Sequence, residues 1–523
     1  MWMTESPRLS FAAAAANTSM ARNGATRSSL RATGNADVRV CFRMGRLCGM
    51  RVTTCSKGAA QAREARERRT FVAAVAASAA ALFPMTVSAQ QPSRNLPIVR
   101  DAEAEQLLRD YATPIFRAAG LNAKAPEVIL INQDSFNAFV AGGQRIFINV
   151  GALMEAETPN EIVGVIAHEA GHIAGGHMAR LREQIANAKI LPVAGMLLGA
   201  GAVAGAARSG DRVGNAGTGA MGALVGPQEL IHRSLLSYQR SEEQAADQSA
   251  VRYLKATGQS PKGMLKTFRR FSDAAIFRSN ALDPYLISHP LPTERIAQLE
   301  TLAKQSPHYE AKDPPALRAR HDLVRAKLYG FVARPETVMR RYPAHDASAP
   351  ARYARAIAAY RSGRSSEALS LIEGLIQSQP GNPYFQELKG QALLEAGRAR
   401  EAIAPLRRAV AASPNAVPIR AMLGHALVAT NDPKLLDEAI RELSNVTHRE
   451  PESAEPFQHL ATAYGRKGNV PLAELASAQA FMNSGDWRMA HTQASRAMAK
   501  LPPGSPGYLK AEDIMNARPP GKI

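Results

Sequence analysis

Cysteine is nearly missing from this chain. Of 523 residues only Cys41, Cys48 and Cys55 are cysteines, and all precede residue 60. The long remainder therefore has neither disulfides nor a thiolate metal site, and it is compatible with any redox compartment. Tryptophan occurs twice and aromatics make up 6%. Acidic residues are outnumbered, 45 against 64 Lys and Arg, for a formal charge of +19. Residues 1–89 hold 13 of those cations and four acids, a net of +9, which leaves +10 for the rest. No Lys/Arg run with interleaved aromatics accompanies the charge, so no nucleic-acid partner is expected.

Long apolar runs are also scarce. Phe71 to Phe83 is shorter than the roughly 20 residues of a membrane span. It follows Arg66, Arg68 and Arg69 and leads to Val87-Ser88-Ala89. A basic region, a short apolar core and a small-x-small site read as a secretory signal over 66–89. Arg68-Arg69-Thr70-Phe71-Val72 also resembles a twin-arginine export signal. Residues 1–65 show no core pattern and read as a disordered extension or an over-called start. The expected location is the periplasm, and no cysteine follows the cleavage site to carry a lipid.

His168-Glu169-Ala170-Gly171-His172 reads H-E-x-x-H. Residues four apart share one helix face, so both imidazoles can grip one ion, and the intervening glutamate can reach a water on it. Apolar Ile162, Val163, Ile166, Ala170 and Ile173 recur at helical spacing around the motif, and Pro159-Asn160 offers a helix start. A catalytic zinc usually takes three protein ligands. His177 falls one position short of where an extended motif would place a third histidine, which on a continuous helix is a turn of roughly 100°. The third ligand must come from further on. Arg240-Ser241-Glu242-Glu243-Gln244-Ala245-Ala246-Asp247 offers Glu243 and Asp247 at i,i+4, with small Ala246 permitting close helix approach. Glu243 as ligand and Asp247 as hydrogen-bond acceptor from His168 is one assignment, and Glu242 is the competing ligand.

H-E-x-G-H followed by E-x-x-A-D resembles the M48 family of zinc metallopeptidases. Asn137-Ala138-Phe139, Gly142-Gly143 and Ile146 to Gly151 resemble the hairpin before that family's metal helix, and Ser288-His289-Pro290 through Arg295 resembles its His-Pro segment. The resemblance covers roughly residues 97–300. It implies an α+β zincin-like domain, mostly helical with a small sheet, and one Zn2+ per chain on His168, His172 and Glu243. Glu169 would be the general base. His289 would stabilise an oxyanion or approach the metal as a removable ligand, and Asp247 and Arg295 would support the ligands from behind. The strand around Ile146–Val150 is expected at the sheet edge, holding an extended substrate by main-chain hydrogen bonds.

Between the two halves of this site, Ile190 to Ala207 and Ala220 to Val225 are apolar and rich in Gly and Ala. The segment 190–225 reads either as a helical hairpin over the cleft with peripheral membrane contact, or as a buried helix pair.

After residue 350, Ala356, Gly363, Ala368 and Pro380 recur 34 residues later as Gly390, Gly397, Ala402 and Pro414. Thirty-four is the period of the tetratricopeptide repeat, a helix–turn–helix unit. A third unit, from Gly424 to Pro451, is stretched to 37 around Asn431-Asp432-Pro433, and the pattern decays past Trp487. An all-α repeat solenoid is therefore expected over 350–500, a helical linker over 301–349 and a tail over 501–523. Such a stack presents a concave surface to protein partners. The combination resembles the periplasmic metalloprotease-chaperones of Gram-negative bacteria. That resemblance implies an endopeptidase for misfolded or stalled envelope proteins, with the outer-membrane assembly machinery as a partner of the repeats. The alternative is a chaperone or scaffold whose protease is latent.

Overall fold

The computed structural model describes residues 97–122, 127–141, 144–180, 183, 239–277, 289 and 293–518. The extension 1–65, the signal segment 66–89 and the insertion 190–225 lie outside the described residues.

The first half is α+β. Helix α1 (Ala102–Ala118) starts at Asp101, whose side chain accepts from the Ala104 N–H at 2.8 Å. Four strands follow in space: β1 (Ile98–Val99), β2 (Glu127–Ile131), β3 (Ala138–Ala141) and β4 (Arg145–Asn149). The sheet order is β1-β2-β4-β3, with β2 and β4 parallel and the outer pairs antiparallel. β3 and β4 form the expected hairpin, but the expected edge is corrected. β4 is interior, hydrogen-bonded on both sides, and its Ile146 to Asn149 are all buried. A strand covered on both faces reads as a continuous apolar run, as Ile146-Phe147-Ile148 does. Among the described residues the edge beside it is β3.

Two short steps lead to the motif helix: α2 (Val150–Glu155) and α3 (Pro159–Gly175). Pro159 sits at the first turn of α3, where its missing N–H costs nothing. All residues of α3 from Pro159 to His172 are buried, so the helix runs through the core and not over it. It is crossed by α4 (239–256) and α5 (Lys262–Phe277), with α6 (Thr293–Lys304) beyond. Close crossing depends on glycine: a Cβ on Gly164 would lie 2.7 Å from Met264 Cβ, and one on Gly171 would lie 2.9 Å from the Ala246 carbonyl oxygen.

Residues 301–349 are no mere linker. Helix α7 (Pro315–Val332) puts Val324 and Leu328 into the first core and Leu323 and Phe331 into the core of the repeats. Short α8 (Pro335–Arg341) buries Val338 against Ala354 and Ala358.

Ten helices then stack in pairs: α9 (Ala349–Arg361) with α10 (Ser365–Ser378), α11 (Pro383–Glu395) with α12 (Ala399–Ala412), α13 (Val417–Ala429) with α14 (Leu436–Arg449), α15 (Ala454–Arg466) with α16 (Val470–Asn483), and α17 (Trp487–Met498) with α18 (Pro506–Asn516). The turns inside the first, second and fourth pairs use left-handed Gly363, Gly397 and Gly468; the stretched third pair uses Asn431 instead, followed by a short 3₁₀ turn at Pro433–Leu435. Asparagine tolerates that conformation better than most side chains. Within the expected tail over 501–523, the described residues 501–518 form a packed element instead: α18 buries Ala511 and Ile514 against α16 and α17 and completes a fifth pair.

The two halves also meet at the start of α1. Arg100 binds Glu450 through both terminal nitrogens, at 2.5 and 2.6 Å. Lys327 is buried, with Asp101 at 2.7 Å, Glu103 at 3.4 Å and Glu387 at 3.6 Å. The Tyr353 hydroxyl donates to Glu103 at 3.0 Å, and Ala102 packs with Ala409 and Ile419. No helix among the described residues is long and apolar enough to cross a membrane.

Candidate metal centre

The structure brings His168, His172, Glu243 and His289 together, all buried, with one donor atom from each within 4.8 Å of the others. The two motif imidazoles meet because they are one turn apart on α3; their Nε2 atoms are 3.1 Å apart. Glu243, from α4, places its carboxylate oxygens 3.3 Å from His168 Nε2 and 3.4 Å from His172 Nε2. The rival Glu242 points elsewhere: it binds His177 Nε2 at 2.6 Å and Arg180 at 2.9 Å.

Each imidazole is oriented from its far side. Asp247 Oδ1 lies 3.0 Å from His168 Nδ1, the contact its i,i+4 placement anticipated. Arg295 clamps Asp247 at 2.5 and 2.9 Å and also reaches Glu243 at 2.7 Å. His172 Nδ1 lies 2.9 Å from His177 Nδ1. Sequence reasoning missed this last role, because it carried the helix straight through residue 176. Gly176 instead turns left-handed (φ 66°) and ends α3, which returns His177 towards His172. A glycine one residue before the histidine was the signal available.

These partners settle the tautomers. A carboxylate only accepts, so His168 Nδ1 and His177 Nε2 carry protons. His177 Nδ1 is then an acceptor, and His172 Nδ1–H donates to it. Both facing Nε2 atoms are left as lone pairs, beside an acceptor-only carboxylate. Ligands about 2.1 Å from a common tetrahedral centre are separated by roughly 3.4 Å, close to the spacings here. The donor set fits a small divalent cation. Without one, burial works against a charge on His168, but Asp247 and Glu243 outweigh it and raise its pKa to about 9. A proton and a cation therefore compete for this position. Burial and the neighbouring His168 push His172 well down. Burial would raise Glu243, yet His289 and His168 hold it well below the usual carboxylate range.

Glu169 is fully buried, and neither of its oxygens takes a hydrogen bond from the protein. Burial pushes its carboxyl up against the pull of His289 and His168. His289 Nε2 is 3.4 Å from Glu169, while His289 Nδ1 is 2.9 Å from Glu243, so this histidine lies between base and ligand set.

Residues 100–303 match the family model of peptidase family M48. Residues 353–417 and 393–463 match tetratricopeptide-repeat models. This chain carries a peptidase M48 domain followed by tetratricopeptide repeats. The chain is 25% identical over 422 residues to a protein of Yersinia pestis named beta-barrel assembly-enhancing protease, covering 80% of this chain and 83% of the relative. It is 28% identical over 257 residues to the protease HtpX of Chromohalobacter salexigens, covering 45% of this chain and 84% of that one. Among solved structures, the tetratricopeptide-repeat protein YrrB aligns with 34% of this chain and 92% of its own, at 22% identity and a TM-score of 0.29. The M48 match together with the protease relatives makes this chain a metalloprotease.

Proposed function

We propose that the chain is a zinc-dependent endopeptidase of the bacterial periplasm that cuts misfolded or stalled outer-membrane proteins, with its repeats docking substrate or assembly partners. The observation that carries this reading is the convergence of His168, His172 and Glu243 beside the buried, unsatisfied Glu169. A bound zinc would supply a water of lowered pKa and polarise the scissile carbonyl. Glu169 takes the proton from that water as general base and returns it to the leaving amine as general acid. A carboxyl pushed up by burial suits both tasks. Asp247, Arg295, His177 and Glu242 keep the imidazoles in the tautomer that faces the ion. Edge strand β3 pairs with an extended substrate, so unfolded chains are accepted in preference to folded ones. The cell compartment rests on the export-like segment 66–89 and on relatives named for β-barrel assembly.

The test is Glu169→Gln in the mature chain. Zinc content should stay at the unaltered value while cleavage of casein or an unfolded outer-membrane barrel falls by about 10²-fold or more. Cleavage at the original rate would sink the mechanism.

The position of His289 favours a second reading, a chaperone or scaffold with a latent protease. Its side chain fills the space between Glu169 and Glu243. His289→Ala should then change the cleavage rate without altering the fold. An unchanged rate on every substrate would remove the role assigned to this residue.

A further inference from the structure

The repeats hold a second cluster of imidazole and carboxylate that proteolysis leaves unused. His425 lies on α13, and Glu455 and His459 lie one turn apart on α15. The two imidazole rings stack, with centroids 4.0 Å apart and planes inclined by 19°. His459 Nε2 is 3.4 Å from Glu455 Oε1, and one donor atom from each of the three residues lies within 4.8 Å of the others.

These side chains are half-buried in a recess whose other charged lining is Arg100, Asp101, Lys327, Glu387 and Glu450. Both cations there are committed. Arg100 binds Glu105 and Glu450, and Lys327 sits against Asp101, Glu103 and Glu387. Two cations against Asp101, Glu387, Glu450 and Glu455 leave the lining two negative charges in excess, within a chain whose formal charge is +19. A recess of that sign concentrates cations.

Ring stacking adds a chemical preference. Face-to-face imidazoles cannot both be protonated without like charges meeting at close range. The pair therefore keeps at least one ring neutral, the form in which imidazole binds a metal. Stacked rings point their in-plane lone pairs side by side, so one imidazole would turn out of the stack to bring both nitrogens onto a single ion, with all three donors already within 4.8 Å of one another.

We propose that His425, Glu455 and His459 form a second divalent-metal site, taking an imidazole-preferring ion such as Zn2+ rather than Mg2+ or Ca2+. The ion would tie the third repeat pair to the fourth, beside the Arg100–Glu450 contact. Two imidazoles and one carboxylate suit a borderline ion, with water completing its shell.

Zinc is the probe, and the untagged chain from residue 90 onward is the sample. Equilibrium dialysis should find two zinc ions per chain, falling to one in His425→Ala/His459→Ala, with cleavage activity retained. Glu455→Gln, a milder change, should weaken only the second zinc by roughly tenfold or more. Zinc added to protein already holding one equivalent should raise the melting temperature of the unaltered chain, and not of the double variant. Millimolar Mg2+ should not compete. One zinc in the unaltered chain, or two in the double variant, would overturn the proposal. The Glu455→Gln titration decides the matter if the double variant folds poorly.

Discussion

Each motif imidazole has a different carboxylate behind it, and the two arrangements are unequal. His168 meets Asp247 directly, whereas His172 reaches Glu242 only through His177. Adjacent acids on one helix thus have opposite duties. Glu243 faces the ligand set, and Glu242 lies on the flank with Arg180. Glu243→Ala should lose zinc outright. Glu242→Ala should keep the ion and weaken it by about 10- to 100-fold, the usual effect of removing a partner from behind a ligand. Zinc titration against a chelator ranks the two, and the reverse order would return Glu242 to the ligand position. H-E-x-x-H could be read from sequence because its geometry is local, two side chains one turn apart. The choice between Glu242 and Glu243 depended on which side of α4 faces α3, and a Glu-Glu pair does not announce that.

At the scale of elements, the centre exists because α3 and α4 touch almost backbone to backbone. Gly171 lies inside the motif, and a Cβ there would come within 2.9 Å of Ala246 O and 3.0 Å of Ala246 Cα. Gly171→Ala should push α4 outward, carrying Glu243 with it. We expect a stability loss of about 1–3 kcal/mol, as for other overpacked contacts, together with weaker zinc binding. Urea midpoints and zinc titration check this, and unaltered values for both would show that the helices have slack. Small Ala246 was visible in the sequence as a sign of close approach, but its partner glycine was not, since no one-dimensional pattern pairs the two helices. The repeats were more legible. The first two pairs reuse small residues 34 apart and the next two follow with one stretched turn, so the helices α9 to α16 could be read from the period. α18 escaped because the repeat signature had already decayed by Trp487, while burial of Ala511 and Ile514 still keeps the helix in place.

The whole molecule is fastened around Lys327. Three carboxylates, Asp101, Glu103 and Glu387, share this one buried ammonium, two more than its charge can balance. Burial raises Glu103 to about 7, with Lys327 opposing and Asp101 adding to the rise. The folded chain therefore holds a proton here that the unfolded chain would release. The stability tied to that proton is complete below the ordinary glutamate pKa and is lost as pH climbs through about 7. Glu103→Gln cannot ionise. Its stability relative to the unaltered chain should rise between pH 5 and pH 8, by an amount on the order of a few kcal/mol at most. Thermal melts at the two pH values check this, and a pH-independent difference would show that Glu103 stays charged. No sequence pattern pointed to this junction, because its members come from residues 101, 103, 327 and 387, distant in the chain and each ordinary alone.

Helix α7, which carries Lys327, belongs to both cores, and the start of α1 is bound separately to the third repeat pair through Arg100 and Glu450. Two fastenings oppose a pivot between the halves. A polypeptide gripped by the repeats would reach the blade at a set offset, like timber held against the fence of a saw. The lengths of the pieces released would then reflect the tool more than the grain of the wood.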